Sequence, residues 1–451
     1  MYVKNREKIV SHGYEKGRKI ALDIIEHALR AADPYIATKN LVKLHGETLT
    51  VGSLHFDLSQ RGNIYVLGAG KATFPIAKAL EEILGERITE GLVIVKRGQN
   101  GILKKIKIRE ASHPLPDIAG FEAAKEIMEI AKKAQRKDIV FCAITGGSSA
   151  LAPLPIPGIS LEEKRQINKL LLTSGATIRE INTVRKHLSN IKGGKLALSI
   201  FPAEIINLTV SDATGDPLDY ITGPTVPDTS TFPEALSVLK KYNLWDKFPK
   251  SAIKYLQNAT PELETPKNFG EFSSLVHSFI LIKSRIVCEA AAEKAKELGF
   301  NTLFLSSFIE GEAREVAKVH TAIAKEIIST GNPIPSPACV ISGGETTVTV
   351  KGDGLGGRNL EFALASGMEI DGLDGVVILS AGTDGTDGPT DAAGGIVDGT
   401  TVKRARELGL DPLRYLERND SYHFFSQLND LVITGPTNTN VMDIRLILVN
   451  L

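Results

Sequence analysis

Four times in this chain an apolar run breaks off into glycines flanked by hydroxyl-bearing or charged residues. The segments are VLGAGKAT (Val66–Thr73), AITGGSSA (Ala143–Ala150), VISGGETT (Val340–Thr347) and LSAGTDGTDG (Leu379–Gly388). Apolar runs of this length, separated by stretches with helical periodicity, read as strands covered on both faces, which fixes the fold class as α/β with a mostly parallel sheet. In open sheets of that kind ligands bind beyond the carboxyl ends of the strands. Glycines there tolerate positive φ and close approach, so successive backbone N–H groups can face one anion. One such loop is an ordinary turn; four of them in two halves of a chain point to an anion site.

At 451 residues the chain exceeds the roughly 250–300 residues at which single cores stop growing, and two domains follow. The periodicity places a helix at Lys16–Ala32, strands at Asn63–Leu67, Leu92–Val95, Ile139–Ile144 and Glu204–Val210, and helices at Pro75–Leu84 and Gly120–Lys133. Leu161–Asn190 reads as one or two helices, and a short helix falls near Pro233–Tyr242. The division expected is a Rossmann-like domain over 1–228, a linker region over 229–270 and a smaller α/β domain with a mixed sheet over 271–451. In the second domain a long helix is expected over Ser273–Leu298, strands at Thr302–Ser306, Ala338–Ser342 and Val376–Leu379, and helices at Glu312–Thr330 and Arg358–Met368. Thr346–Val350 alternates polar and apolar residues and is expected to pair back across Gly343-Gly344; Leu431–Thr434 and Leu446–Val449 are expected as a closing pair.

Lysine plus arginine equals aspartate plus glutamate, 53 of each, so no overall field draws nucleic acid or an anionic membrane. A neutral chain that concentrates positive charge in one cleft suits a small anion. The three cysteines, Cys142, Cys288 and Cys339, are dispersed in apolar contexts, which fits a reducing compartment and a cytoplasmic protein. No run reaches the ~18 apolar residues of a membrane span. Sparse Cys and Met beside abundant Lys and Glu hint at a thermophilic source. A homodimer is the general expectation for soluble enzymes.

Neither standard nucleotide motif is present. A Walker A loop ending at Lys71 needs a glycine where Tyr65 stands, and a dinucleotide fingerprint needs a third glycine where Thr73 stands. The next strand ends in Lys96-Arg97 instead of a ribose-binding acid. Lys71, after Gly70, would aim an ammonium at a phosphate or carboxylate from a strand–helix turn. Arg358 follows the Gly354–Gly357 loop at a helix start, where the helix dipole disfavours a cation, so a bound anion would explain it; a salt bridge to an acid such as Asp353 is the structural alternative.

Further candidates are Gly146, Gly147, Ser148 and Ser149 in the second loop, Gly343, Gly344 and Glu345 in the third, and Asp384 and Asp387 in the fourth. Asp212 lies in SDATGDPLDY. Loop carboxylates opposite Lys and Arg suit a phosphoryl donor with Mg²⁺, although Asp-Gly pairs are also plain turn formers. Arg185 and Lys192 in INTVRKHLSNIKGGKLA, two helical turns apart, can face one cleft or form a solvated basic face. His113, between the prolines of SHPLPD, is either functional or a packed loop histidine.

Taken together the motifs resemble the MOFRL-type (class II) glycerate kinases over nearly the whole chain. The matching residues are LGAGKA, HPLPD, TGGSSAL, NTVRKHLSNIKGGKLA, SDATGDPLDYITGPTVPD, SGGETTVTVKGDGLGGRNLEFAL and SAGTDGTDGPTDAAGGIVDG. The resemblance implies ATP- and Mg²⁺-dependent phosphorylation of D-glycerate, usually to 2-phosphoglycerate, in a cleft between a Rossmann-like and a smaller α/β domain. It also makes Lys71 and Arg358 the favoured catalytic residues. The Thr145–Ser149 loop with Arg185 or Lys192 would clamp the substrate carboxylate, and Asp212 or Asp387 would orient the hydroxyl or hold Mg²⁺. The competing readings are a kinase giving 3-phosphoglycerate and an NAD(P)H-dependent hydroxypyruvate reductase.

Overall fold

Ile64–Ala69, Ile139–Ile144 and Glu204–Val210 are buried over their full lengths, as strands with helices on both faces must be. The computed structural model describes residues 2–99, 101–211, 213–215, 217–221 and 223–450. They form two compact units, 34–281 and 1–33 with 282–451. The fold class is the expected one, but the units divide differently from the sequence-based boundaries: the first 33 residues group with the C-terminal half, and the break falls after residue 281.

The unit over 34–281 opens with an antiparallel meander, β1 (Val42–His45), β2 (Thr48–Val51) and β3 (Leu54–Asp57). Its main sheet contains β4 (Ile64–Ala69), β5 (Ile88–Lys96), β6 (Ile106–Ala111), β7 (Ile139–Ile144), β8 (Glu204–Val210) and β9 (Val276–Ile282), in the order β6-β5-β4-β7-β8-β9. The pairs β4/β5, β5/β6, β4/β7 and β7/β8 are parallel, with Ala69 opposite Ile144. The chain runs outward from β4 through β5 to β6, then returns to start β7 on the other side of β4. The switch point, where a crevice opens at the strand ends, therefore lies between the β4 and β7 loops.

The stretch expected as a linker is structured. Helices Phe232–Lys241 and Lys250–Gln257 bury Phe232, Leu239 and Leu256 against Ile167, Leu171 and Val184 of helices Leu161–Leu172 and Ile178–His187. The prolines in this stretch punctuate helices; Pro233 occupies the first turn of one of them, where its missing N–H costs nothing.

The other unit holds β10 (Asn301–Ile309), β11 (Ala338–Gly344), β12 (Val376–Gly382), β13 (Gly394–Asp398), β14 (Leu431–Val432) and β15 (Asp443–Val449), in the order β10-β11-β15-β12-β13-β14. Only β10/β11 is parallel; β15 runs antiparallel to both β11 and β12. The expected closing pair is thus corrected: β14 pairs with β13, and β15 fills the centre of the sheet. Thr346–Val350 forms no strand, because β15 occupies the place beside β11 that a hairpin would need. The helix expected from Ser273 begins at Ser284, and the apolar, β-branched and aromatic run VHSFILI before it is β9.

Candidate functional site

In the 34–281 unit the β4 and β7 loops are laced together. The Lys71 N–H donates to the Gly146 carbonyl (2.8 Å), and the Ala72 N–H donates to Thr145 Oγ1 (3.1 Å). Gly70 has φ +145°, and a Cβ there would lie 2.0 Å from Thr145 Oγ1, so only glycine allows the two loops to meet. Gly147, at φ +87°, sits between side chains: a Cβ on it would fall 3.2 Å from the His113 ring and 3.4 Å from Lys71 Cγ. Lys71, His113, Gly146 and Gly147 are therefore neighbours at the switch point. Ser148 and Ser149 continue from them into the short helix Ser148–Leu151.

His113 is held in place by its own loop. Asp117 accepts from the Ser112 N–H (3.1 Å), the Gly120 N–H (2.9 Å) and Arg97 (2.7 Å), capping helix Ile118–Ala131 and closing the SHPLPD segment. Burial raises the Asp117 carboxyl, but these donors outweigh it and hold the group below its ordinary value.

Arg185 and Lys192 line one small cavity with Ser149, Lys164 and Asn168. They do so without sharing a helix, since the helix bearing Arg185 ends at His187 and Lys192 lies beyond it. Their neighbours in sequence have other tasks: Lys186 is bound to Asp219 and Asp228, both at 3.0 Å, and His187 to Glu264 at 2.7 Å. Lys164 and Asn168 were not singled out from the sequence. Their signal was position, since both fall on the buried face of an otherwise charged helix with Ile167 and Leu171.

In the other unit Arg358 has carboxylate partners of its own, as in the salt-bridge alternative, but with acids other than Asp353. Its Nε and Nη2 donate to the buried Asp443 (2.7 and 2.9 Å), and its Nη1 to Glu345 (2.9 Å). Burial lowers the Arg358 pKa, but Asp443 and then Glu345 raise it further, above the ordinary value. Asp353, the acid considered as its partner, pairs with Arg418 instead (2.9 Å). Asp443 also accepts from Asn359 Nδ2 (2.9 Å) and Arg445 Nη2 (3.1 Å). The register explains the meeting place: Asp443 opens β15 opposite both Gly344 and Gly382, where β11 and β12 end.

Asp387 caps helix Arg358–Glu369. One of its oxygens accepts from the Asn359 N–H (3.0 Å) and the other from the Leu360 N–H (2.8 Å). Both oxygens are engaged and the residue is buried, so Asp387 does not fit the role of a Mg²⁺ ligand. Asp384 makes a turn, accepting from the Thr386 N–H (3.0 Å) and hydroxyl (2.9 Å). Gly343 and Gly344 lie inside β11, not in a loop. A Cβ on Gly343 would sit 2.3 Å from Ser284 Oγ, and one on Gly344 2.3 Å from the Ile309 carbonyl oxygen, so close packing accounts for both. Asp212 lies outside the described residues. Among the described residues no group of three or more His, Cys, Asp or Glu side chains is placed to hold a metal. No helix among them is long and apolar enough to cross a membrane.

Fold and site together define a two-unit α/β protein that gathers cationic side chains at strand ends, by glycine-laced loops in one unit and by a carboxylate-braced arginine in the other. Two family models match the chain: a domain of unknown function, DUF4147, over residues 20–257, and the MOFRL family over residues 338–443. A glycerate 2-kinase of Pyrococcus horikoshii is 43% identical over 96% of this chain and 97% of its own length. A D-glycerate 2-kinase of Thermotoga maritima is 42% identical over 95% and 98%. The crystal structure of a glycerate kinase from Thermotoga maritima superposes with a TM-score of 0.85 at 40% identity, covering 96% of this chain and all of that one (100%). A relative from Agrobacterium vitis, 38% identical over 96% of this chain and 94% of its own, is named a putative hydroxypyruvate reductase. The chain belongs to the MOFRL-type glycerate kinase family.

Proposed function

We propose that this protein is a glycerate 2-kinase, transferring the γ-phosphoryl group of ATP, taken as its Mg²⁺ complex, to the 2-hydroxyl of D-glycerate. The observation that carries the reading is the lacing of the β4 and β7 loops, which sets Lys71 beside Gly146, Gly147 and His113 at the sheet's switch point. Phosphoryl transfer asks a protein mainly to position two reactants and to stabilise charge on the moving group. Lys71 supplies a point charge for that purpose. Arg358 supplies a planar guanidinium whose orientation is fixed by the buried Asp443. Arg185 and Lys192 hold the glycerate carboxylate, which orients the hydroxyl for attack.

A reductase reading has a relative's name behind it, but this chain lacks both the third glycine and the ribose-binding acid of a dinucleotide site. The test is an ADP-release assay with D-glycerate and MgATP, followed by separation of 2- and 3-phosphoglycerate. ADP release with 2-phosphoglycerate as product is the expected result. NADH or NADPH oxidation with hydroxypyruvate and no ADP release would overturn it. Lys71→Ala should lower kcat about 100-fold or more while the protein stays folded, the loss typical of removing one charge-stabilising donor; near-normal turnover would take Lys71 out of the mechanism.

A further inference from the structure

Strand β15 opens with two opposite charges on one face, since Asp443 and Arg445 stand two residues apart. Both are buried, and Arg445 is 0% exposed. The register sets Arg445 opposite Ser342 of β11 and Ser380 of β12, on the central strand of its sheet. Its Nη2 donates to Asp443 Oδ2 (3.1 Å) and to Thr346 Oγ1 (3.0 Å), and its Cζ lies 5.2 Å from the centre of the Phe362 ring. Nε and Nη1 have no hydrogen-bond partner among the described residues. Asp443 is therefore shared by two guanidiniums: Arg358 binds it by two nitrogens and Arg445 by one.

A buried arginine with two orphaned donors is destabilising, and a methionine or leucine would pack against Phe362 without that penalty. Packing alone thus does not account for Arg445. Nor does it serve other acids. Asp443 is the only carboxylate bridged to it among the described residues, and Asp387, acting from farther off, is committed to the two N–H groups of the helix it caps. His320, which also packs on Phe362, is neutral: its ring nitrogens bond the Val316 carbonyl (2.9 Å) and Ser342 Oγ (2.8 Å), and burial pushes its pKa down to about 4. Burial lowers the Arg445 pKa as well, against the pull of Asp443, but a guanidinium does not give up its proton in a protein.

A carboxylate that fixes a guanidinium by two bonds also cancels its charge, and a cancelled charge does little for a phosphoryl group. With Arg445 on the same carboxylate, the three side chains together keep one positive charge. We infer that Arg445 is a positioning residue for Arg358: Asp443 fixes the plane of the Arg358 guanidinium, and Arg445 neutralises Asp443, so that Arg358 meets its anion as a net cation. The inference rests on the proposed phosphoryl transfer for the identity of that anion. The role is electrostatic, and no bond forms or breaks at Arg445.

The experiment is calorimetric binding of MgADP and of inorganic phosphate to the full-length protein, beside ADP release and a thermal melt. Arg445→Gln keeps a donor for Asp443 but removes the charge; both ligands should bind about 10-fold more weakly, and kcat should fall about 10- to 100-fold. Arg445→Lys keeps the charge, and since only one nitrogen reaches Asp443, it should bind both ligands within about threefold of wild type. Adding Asp443→Asn to Arg445→Gln restores the net charge of the wild type. Binding should then recover to within about threefold, while kcat stays low because an amide cannot accept two parallel bonds from Arg358. A side chain needed only for packing gives no such recovery from a second buried change. If the wild type releases no ADP with D-glycerate, yet phosphate binding follows this pattern, the kinase reading fails and the role of Arg445 stands. Should Arg445→Gln not fold, Arg445→Lys and the double variant are compared with wild type directly. Wild-type affinity in Arg445→Gln, or affinity more than about 10-fold below wild type in Arg445→Lys or the double variant, overturns the inference, as does a wild type that binds neither ligand.

Discussion

Arg358 Nε and Nη2 are both committed to Asp443, which is buried, while Nη1 is committed to Glu345, which is half exposed. The buried carboxylate fixes the plane of the guanidinium; in the proposed mechanism the exposed one would give way to an incoming phosphate. A lysine at this position keeps the charge but cannot make two parallel bonds to Asp443. Arg358→Lys should therefore leave the protein folded and lower kcat about 100-fold, measured by ADP release at saturating substrates alongside a thermal melt. Retained turnover would mean that charge alone suffices. Arg358 itself was legible in the sequence, as a cation placed where a helix begins after a glycine-rich loop. Its partner was not, because Asp443 lies 85 residues further on and meets Arg358 only through the register of β15 with β11 and β12. A faint signal existed in DIRLILV, a strand that is apolar apart from two opposite charges at its start.

Among the elements, helix Arg358–Glu369 shows how a loop acid came to be misread. Asp387 belongs to an Asp-Gly-rich loop that suits a metal, yet its two oxygens cap that helix. Burial, and secondarily Asp443, push its carboxyl up to about 6 in spite of the two N–H donors. With the folded value above the unfolded one near 4, the native protein holds a proton that the unfolded chain has released between about pH 4 and 6. The group's favourable contribution is complete below about pH 4 and is lost as pH rises through 6, with a slope of at most about 1.4 kcal/mol per pH unit. Asp387→Asn should remove that slope, read as the difference between wild-type and variant urea unfolding free energies from pH 4 to 6. A difference independent of pH would show that Asp387 ionises normally. The long helices were legible from their periodicity, as were the wholly apolar strands. The strands that escaped were the short meander β1–β3, β6, whose IKIREA run alternates with charges, β9, merged with the alanine-rich helix that follows it, and the short β13. Lys164 and Asn168 escaped for a related reason: on paper their helix is a solvated one, and only packing shows which of its polar residues turn inward.

For the molecule as a whole, residues 1–33 are tied to the C-terminal half by backbone bonds such as Lys4 N–H to the Ile433 carbonyl (2.7 Å) and by one buried arginine. Arg18 donates to Asp398 (2.6 Å) and to Asp430, while Asp430 also accepts from Arg404 (2.6 Å) and bonds His12 (2.8 Å). Burial alone would raise the Asp398 carboxyl, but Arg18 and the donors around it hold it down to about 2. The stability this supplies is present above about pH 4 and is lost as pH falls through 2. Arg18→Met leaves both acids buried without their guanidinium and should destabilise the unit by about 3–5 kcal/mol at neutral pH, measured by chemical denaturation. A loss below ~1 kcal/mol would show that Arg404 and His12 suffice for the two acids.

The same tie has a consequence for synthesis. Helix Glu15–Ala31 emerges from the ribosome early, with Ile24, Ile25, Ala28 and Leu29 on a face that is fully covered only in the finished unit. Its partners, from Ser284 to Asp430, are hundreds of residues behind it, a wait of tens of seconds at ordinary translation rates. Residues 34–281, a compact unit of their own, are made during that interval. A stretch made long before its partners is thus among the last to be buried, and its apolar face stays open to a nascent-chain chaperone in the meantime.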